Sequence, residues 1–178
     1  MFDVITIGSA TRDVFLESDD FKDVRSSAFT GGVGECLSLG SKNEVRRIFF
    51  STGGGATNAA VTFARLGLKT AVLARVGNDG AALEIIKILK NEGVYTKFIQ
   101  CDEKDNTAYS TLLMHGPGER TVLVYRGSST KLNFGSFASG GRQKLSFEKC
   151  KWFYVTSLGG RMDLLRQIWS LARRQKIK

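Results

Sequence analysis

Histidine and proline are almost missing from this chain: His115 and Pro117 are the only ones in 178 residues. The three cysteines, Cys36, Cys101 and Cys150, are far apart, and none has C-x-x-C spacing. A structural zinc site needs about four Cys/His ligands in close pairs, so that class is excluded. The cysteines are expected to be reduced and structural. A Cys–His nucleophilic pair has no local support. With one proline and no low-complexity stretch there is no linker, and a single domain is expected over residues 1–178. No apolar run approaches the roughly 18 residues of a membrane span. The N-terminus has no basic segment ahead of an apolar run, so no signal peptide is expected and a cytoplasmic location follows.

Hydrophobic residues make up 42% and charged residues 24%, as in ordinary globular domains. The balance is basic, with 26 Lys+Arg against 17 Asp+Glu and a net charge of +9. Such a surface attracts anions such as nucleotides, phosphorylated sugars or nucleic acid. Part of the excess is local: Arg161, Arg166, Arg173, Arg174, Lys176 and Lys178 face one acid, Asp163. A solvated helix face with charges suited to its C-terminal dipole accounts for that cluster. No aromatic-basic motif accompanies it, which argues against nucleic acid.

Phe2 to Ile7 is a short apolar run stopped by Gly8, as in a buried strand. A polar insert follows, with a breaker cluster at Thr30-Gly31-Gly32-Val33-Gly34. Val45, Ile48, Phe49 and Phe50 suggest a strand. Asn58 to Leu66 has helical spacing, closed by Gly67. Thr70 to Val76 reads as a parallel strand covered on both faces. Asp79 can cap a helix running to about Asn91, stopped by Gly93, and Val94 to Gln100 is expected as the next strand. Thr107–Met114 and Thr121–Tyr125 flank a Gly/Pro turn and predict an antiparallel hairpin. Phe153–Thr156 is a last strand, and Met162–Arg174 a helix with Leu164, Leu165, Ile168, Trp169 and Ala172 on its apolar face. The alternation predicts an α/β fold with a mostly parallel sheet flanked by helices. The β-rich segments about 29–52 and 107–126 break that rhythm and could form a small separate sheet, a lid over a cleft.

The most informative stretch is Ser51-Thr52-Gly53-Gly54-Gly55-Ala56-Thr57-Asn58, joining a strand to a helix. Glycines there allow close backbone approach to a ligand, and the helix start directs N–H groups at it. Asn58 offers both a donor and an acceptor, suited to hydroxyls. No Lys-Ser/Thr follows, so this is not a Walker A loop. The G-x-G-x-x-G spacing is absent, so it is not a dinucleotide fingerprint either.

Gly53-Gly54, then Asn58, Ala60, Gly67 and Gly77, resembles the first signature of the ribokinase-like PfkB carbohydrate kinases. Val4–Gly8 with Asp13 looks like that family's opening strand and sugar-binding aspartate. Gly118–Thr121 with Tyr125-Arg126-Gly127 is similar to its lid hairpin. One departure is Ala82, where the family usually carries glycine. The resemblance implies a ribokinase-like fold with a β-lid and transfer of the ATP γ-phosphoryl to a sugar hydroxyl, with Mg²⁺ bridging the phosphates. It implies sugar contacts from Asp13, Gly53, Gly54 and Asn58, and a homodimer through the lid. Arg120 and Arg126 either reach an anionic substrate or are solvated edge charges. Phe29, Phe49 and Phe50 either stack on a nucleoside base or pack. The family's second signature, an anion-hole turn with the catalytic aspartate, has no counterpart: nothing like Gly-Ala-Gly-Asp occurs. No catalytic residue is therefore expected within the chain, whose C-terminal half would be absent and whose nucleotide site would lie mostly beyond Lys178. Alternatives are a non-catalytic sugar-binding or regulatory module, and a nucleoside kinase of the same family.

Overall fold

A computed structural model describes residues 1–115, 118–134 and 150–178. The chain divides into two compact units. The first holds Met1–Arg12, Thr52–Tyr109 and Tyr125–Lys178, and the second Asp13–Ser51 and Ser110–Val124.

The first unit is built on the strands β1 (Phe2–Ile7), β6 (Thr70–Leu73) and β11 (Cys150–Val155). β1 lies in the middle, parallel to both neighbours, with Ile7 opposite Leu73 on one side and Val155 on the other. Asp3 aligns their starts: its carboxylate accepts from the Lys69 N–H at 2.9 Å and from the Lys151 ammonium at 2.7 Å. These bonds, that to Lys151 first, hold its carboxyl below the usual carboxylate range. A continuous apolar run in β6 follows from burial on both faces. Ile5, Ile7, Ala71 and Leu73 pack on one side with Leu164, Ile168 and Leu171 of α3 (Met162–Gln175). Val72 and Ala74 pack on the other with Ala56 and Ala60 of α1 (Gly55–Arg65) and Ala82, Ile85 and Leu89 of α2 (Gly80–Asn91). Helices thus cover both faces of a parallel sheet, as the alternation predicts.

Three expectations need correction. The run from Thr70 to Val76 is two strands, β6 and β7 (Arg75–Gly77), and β7 pairs in parallel with β8 (Gln100–Asp102). Val94–Gln100 is not a strand; only a single bridge, Tyr95 to Ala71, joins it to β6. Its apolar residues serve packing instead: Val94 and Phe98 are buried, and the Tyr95 and Phe98 rings meet edge to face at 5.1 Å. In α3, Leu165 and Trp169 lie outside the apolar face, and Trp169 is 66% exposed.

The second unit contains most of a sheet in the order β10-β9-β2-β5, from Glu119–Tyr125, Ala108–His115, Thr11–Glu17 and Arg47–Gly53. β3 (Lys22–Arg25) and β4 (Val33–Cys36) form a separate antiparallel pair. β2 and β3 lie in what reads from sequence as a polar insert, and β4 within the β-rich segment about 29–52. Phe15 of β2 stacks on Phe49 of β5 with ring centroids 4.4 Å apart, and Glu17 lies 3.7 Å from Arg46 and 3.5 Å from Arg47. The Gly116-Pro117 turn expected between β9 and β10 lies outside the described residues.

Asp79 ties α2 to the rest of its unit. It caps the helix by accepting from the Ala82 N–H at 2.9 Å, and it also accepts from the N–H and hydroxyl of Thr107, each at 2.7 Å. Burial pushes its carboxyl up, but the bonds from Thr107 and the α2 backbone outweigh this and hold it below the usual carboxylate range. A depressed carboxylate stabilises the fold above its unfolded value, near pH 4, and that stability is lost as pH falls through the lower folded value. Asp79→Ala should cost about 2 kcal/mol. It should also flatten the acid limb of a stability-versus-pH curve measured by urea unfolding between pH 6 and pH 3; an unchanged curve would contradict the assigned role.

Candidate functional site

The glycine turn holds Gly53 and Gly54, the two glycines expected from sequence to contact a sugar. Gly53 ends β5 and is buried, and Gly54 is the N-cap of α1 with φ 99°. An L side chain is strained at that angle. It would also collide, because a Cβ on Gly54 would stand 2.5 Å from the Ser9 carbonyl oxygen and 2.8 Å from the Ala10 Cα. The third glycine, Gly55, lies against Thr156, whose Cβ would be 2.8 Å from an added methyl. Gly54 and Gly55 therefore answer a close approach between the start of α1 and the carboxyl ends of β1 and β11. Ligands of open α/β sheets bind at such strand ends.

The hydrogen bonds of the turn refine the expectation from sequence. The Gly55 N–H donates to the Ser9 hydroxyl at 3.1 Å, and the Ala56 N–H to the Ser9 carbonyl at 3.1 Å. Two of the first N–H groups of α1 are thus engaged within the protein rather than held ready for a ligand. The Thr57 hydroxyl donates to the Gly53 carbonyl and lies 2.9 Å from that of Gly54. In a planar trans peptide the N–H points opposite to the carbonyl. Holding the Gly53 carbonyl toward Thr57 therefore turns the Gly54 N–H the other way.

Asn58 lies in the first turn of α1 with its side chain exposed, and the N-cap is Gly54, so it does not cap the helix. Asp13 belongs to the second unit, in β2, and so neither sits in a loop nor caps a helix. Its Oδ1 is buried and accepts no hydrogen bond. A buried acceptor without a partner is costly, and persists where a ligand supplies the missing donor.

The two arginines are not brought together within one unit. Arg120 lies on β10 of the second unit, in a cleft of about 300 Å³ beside Asp23, Glu35 and Glu119. Acids crowd that cleft, which disfavours a phosphorylated ligand there. Arg126, in the first unit, is exposed and precedes the 3₁₀ turn Gly127–Lys131. Of the aromatic candidates, Phe29 packs its ring against Gly34 and Phe49 stacks on Phe15, so both are engaged in packing. A separate apolar cleft of about 390 Å³, lined by Phe63, Leu68, Trp152 and Tyr154 among others, contains none of the expected sugar contacts. Ser9 and Thr156 were missed from sequence: a serine after a strand glycine and an isolated threonine carry no spacing signal.

The pfkB family carbohydrate kinase model matches residues 1–177. The chain belongs to this family. Among pfkB relatives, mouse ribokinase is 29% identical over 85 residues, which are 48% of this chain and 26% of that protein. The 5-dehydro-2-deoxygluconokinase of Geobacillus kaustophilus is 31% identical over 99 residues, 51% of this chain and 29% of the relative. The fold is that of Halothermothrix orenii fructokinase, with a TM-score of 0.69 at 22% identity, covering 98% of this chain and 55% of that one. Arabidopsis thaliana ribokinase complexed with ribose and ATP gives a TM-score of 0.70 at 15% identity, covering 99% of this chain and 51% of that one. This pfkB chain therefore spans about half the length of those solved structures.

Gly54→Ala is expected to lower stability by about 2–3 kcal/mol, because both the positive φ and the contact with Ser9 oppose a Cβ. Chemical denaturation of the 178-residue chain checks this, and a loss below about 0.5 kcal/mol would mean that the turn relaxes freely.

Proposed function

We propose that these residues form the sugar-binding part of an ATP-dependent carbohydrate kinase, which transfers the γ-phosphoryl to a sugar hydroxyl. The observation that carries this reading is the buried, unpartnered Oδ1 of Asp13 in a pfkB chain. A carboxylate accepts two hydroxyl donors at once, which suits a sugar diol. The Gly53-Gly54 turn adds backbone N–H contacts, and the exposed Asn58 amide a donor and an acceptor. Arg120 and Arg126 are proposed as solvated charges rather than substrate contacts, in view of the acids beside Arg120 and the exposure of Arg126.

The relatives' printed activities, on ribose, fructose and 5-dehydro-2-deoxygluconate, define the acceptor class we propose. ATP is the proposed phosphoryl donor, with Mg²⁺ neutralising charge on its phosphates. Among the described residues no group of three or more His, Cys, Asp or Glu could hold a metal ion. Mg²⁺ is ordinarily held by one or two carboxylates together with the substrate phosphates, so its ligands are proposed to come with the nucleotide site. The nucleotide-binding and catalytic-base residues are proposed to come from further polypeptide. In support, β1 is the one strand paired with β11 among the described residues, its other edge meeting only the Lys178 backbone at Lys151 and Phe153, while Trp152 and Tyr154 on it are 53% and 48% exposed. Parallel strands are ordinarily covered on both faces. Dimerisation through the β-rich unit and a cytoplasmic location complete the proposal. The exposed Val122, Leu123 and Val124 of β10 support the former.

Calorimetric titration of the 178-residue chain with D-ribose, D-fructose and 5-dehydro-2-deoxy-D-gluconate is expected to show binding of one of them. Asp13→Ala should abolish that binding while raising the melting temperature by about 2–5 °C, since it removes a buried acceptor without a partner. Failure of all three sugars to bind sinks the reading. The chain alone is expected to show no sugar-dependent ATP turnover in a coupled ADP assay; measurable turnover would place the phosphoryl-transfer residues within these 178 positions.

A further inference from the structure

The connection leaving β1 does more than lead to β2. Gly8 has φ 151°, and a Cβ there would collide with the Thr156 hydroxyl. Its N–H donates to the Leu73 carbonyl at 3.1 Å, and Thr156 closes the other side by donating its N–H to the Ile7 carbonyl at 2.9 Å. The end of β1 is thus fixed by both neighbouring strands, and the next residue, Ser9, has a rigid base.

Ser9 then holds the start of α1 with two oxygens. Its hydroxyl accepts from Gly55 and its carbonyl from Ala56. On the far side of the turn, the Thr57 hydroxyl takes the Gly53 and Gly54 carbonyls. The peptide between Gly53 and Gly54 is therefore set from both ends. Glycine is flexible by itself, so a turn of three glycines needs such external constraints to present an N–H in one direction.

We propose that Ser9 is a positioning residue for sugar recognition: its two oxygens anchor the first N–H groups of α1, and so aim the Gly54 N–H at a sugar hydroxyl. The inference rests on the sugar-binding reading above. Ser9 itself touches no substrate and acts through the turn. A residue in this role lowers the entropy lost on binding, because the turn is already ordered before the sugar arrives.

The test uses the 178-residue chain, with D-ribose, D-fructose and 5-dehydro-2-deoxy-D-gluconate as probes. Three readouts are taken: affinity, melting temperature, and hydrogen exchange at the Gly54 and Gly55 amides. Ser9→Ala should raise the dissociation constant of the sugar that binds by about tenfold, and should speed exchange at Gly55, with only a small loss in melting temperature. Ser9→Thr keeps the acceptor oxygen and should restore affinity to within about twofold of wild type. Should the alanine variant fail to fold, Ser9→Cys, of similar size but a weak acceptor, serves in its place. Wild-type affinity in Ser9→Ala, or a threonine variant as weak as alanine, overturns the inference while leaving the sugar-binding reading intact. If the wild-type chain binds none of the three sugars, that reading fails and this one falls with it.

Discussion

The close approach between the β1–β2 connection and the first turn of α1 is the constraint on which the first unit depends. The Ser9 carbonyl and the Gly54 backbone share space that any Cβ would occupy. That contact sets where α1 begins, and so where Ala56 and Ala60 meet Val72 and Ala74 on the sheet. Small residues on both partners are the consequence: the helix lies close to the strands because alanine faces them. The same approach places the glycine turn at the carboxyl end of the central strand, so packing and the candidate site share one geometric cause.

What the sequence reveals and what it hides follows from the type of signal. The glycine turn is legible because backbone conformations accessible to glycine leave a compositional mark, and Asp79 because a helix cap must accept at a fixed offset. β2 and β3 are not legible. In β2 only Val14 is buried, so no apolar alternation stands out, and the residues of β3 are all exposed. The segment Val94–Gln100 misleads for the opposite reason. Its apolar residues look like a strand, yet they fill space beneath other elements, and the backbone makes one bridge where a ladder is expected. Periodicity reports burial, not pairing.

Ala82 illustrates how a departure from a family pattern can be absorbed. The residue is buried at the first turn of α2, and its N–H is the donor to Asp79. That bond needs only a backbone N–H and a helical conformation, both of which alanine supplies with less entropic cost than glycine. Gly77 differs. A Cβ there would stand 2.5 Å from the Asp105 carbonyl and 2.6 Å from the Thr107 N, so the end of β7 requires glycine for space. Substitution is tolerated where only flexibility is lost and not where backbone meets backbone.

The chemistry of the α1 start also separates two kinds of ligand. A helix N-terminus binds phosphate when several of its first N–H groups point at the ligand together. Here Ser9 engages those of Gly55 and Ala56. What remains is a turn able to offer single directed N–H contacts, followed by an exposed neutral amide at Asn58. Such a set matches neutral hydroxyls, each able to accept one N–H and donate in return. A doubly charged phosphate would need more donors than this turn supplies. The positive net charge of the chain does not alter that conclusion, because the bonds that fix Gly53, Gly54 and Gly55 run to the hydroxyls of Ser9 and Thr57, neither of them basic. With two of its leading N–H groups engaged by Ser9, the start of α1 is a weaker phosphate cradle than an open helix N-terminus.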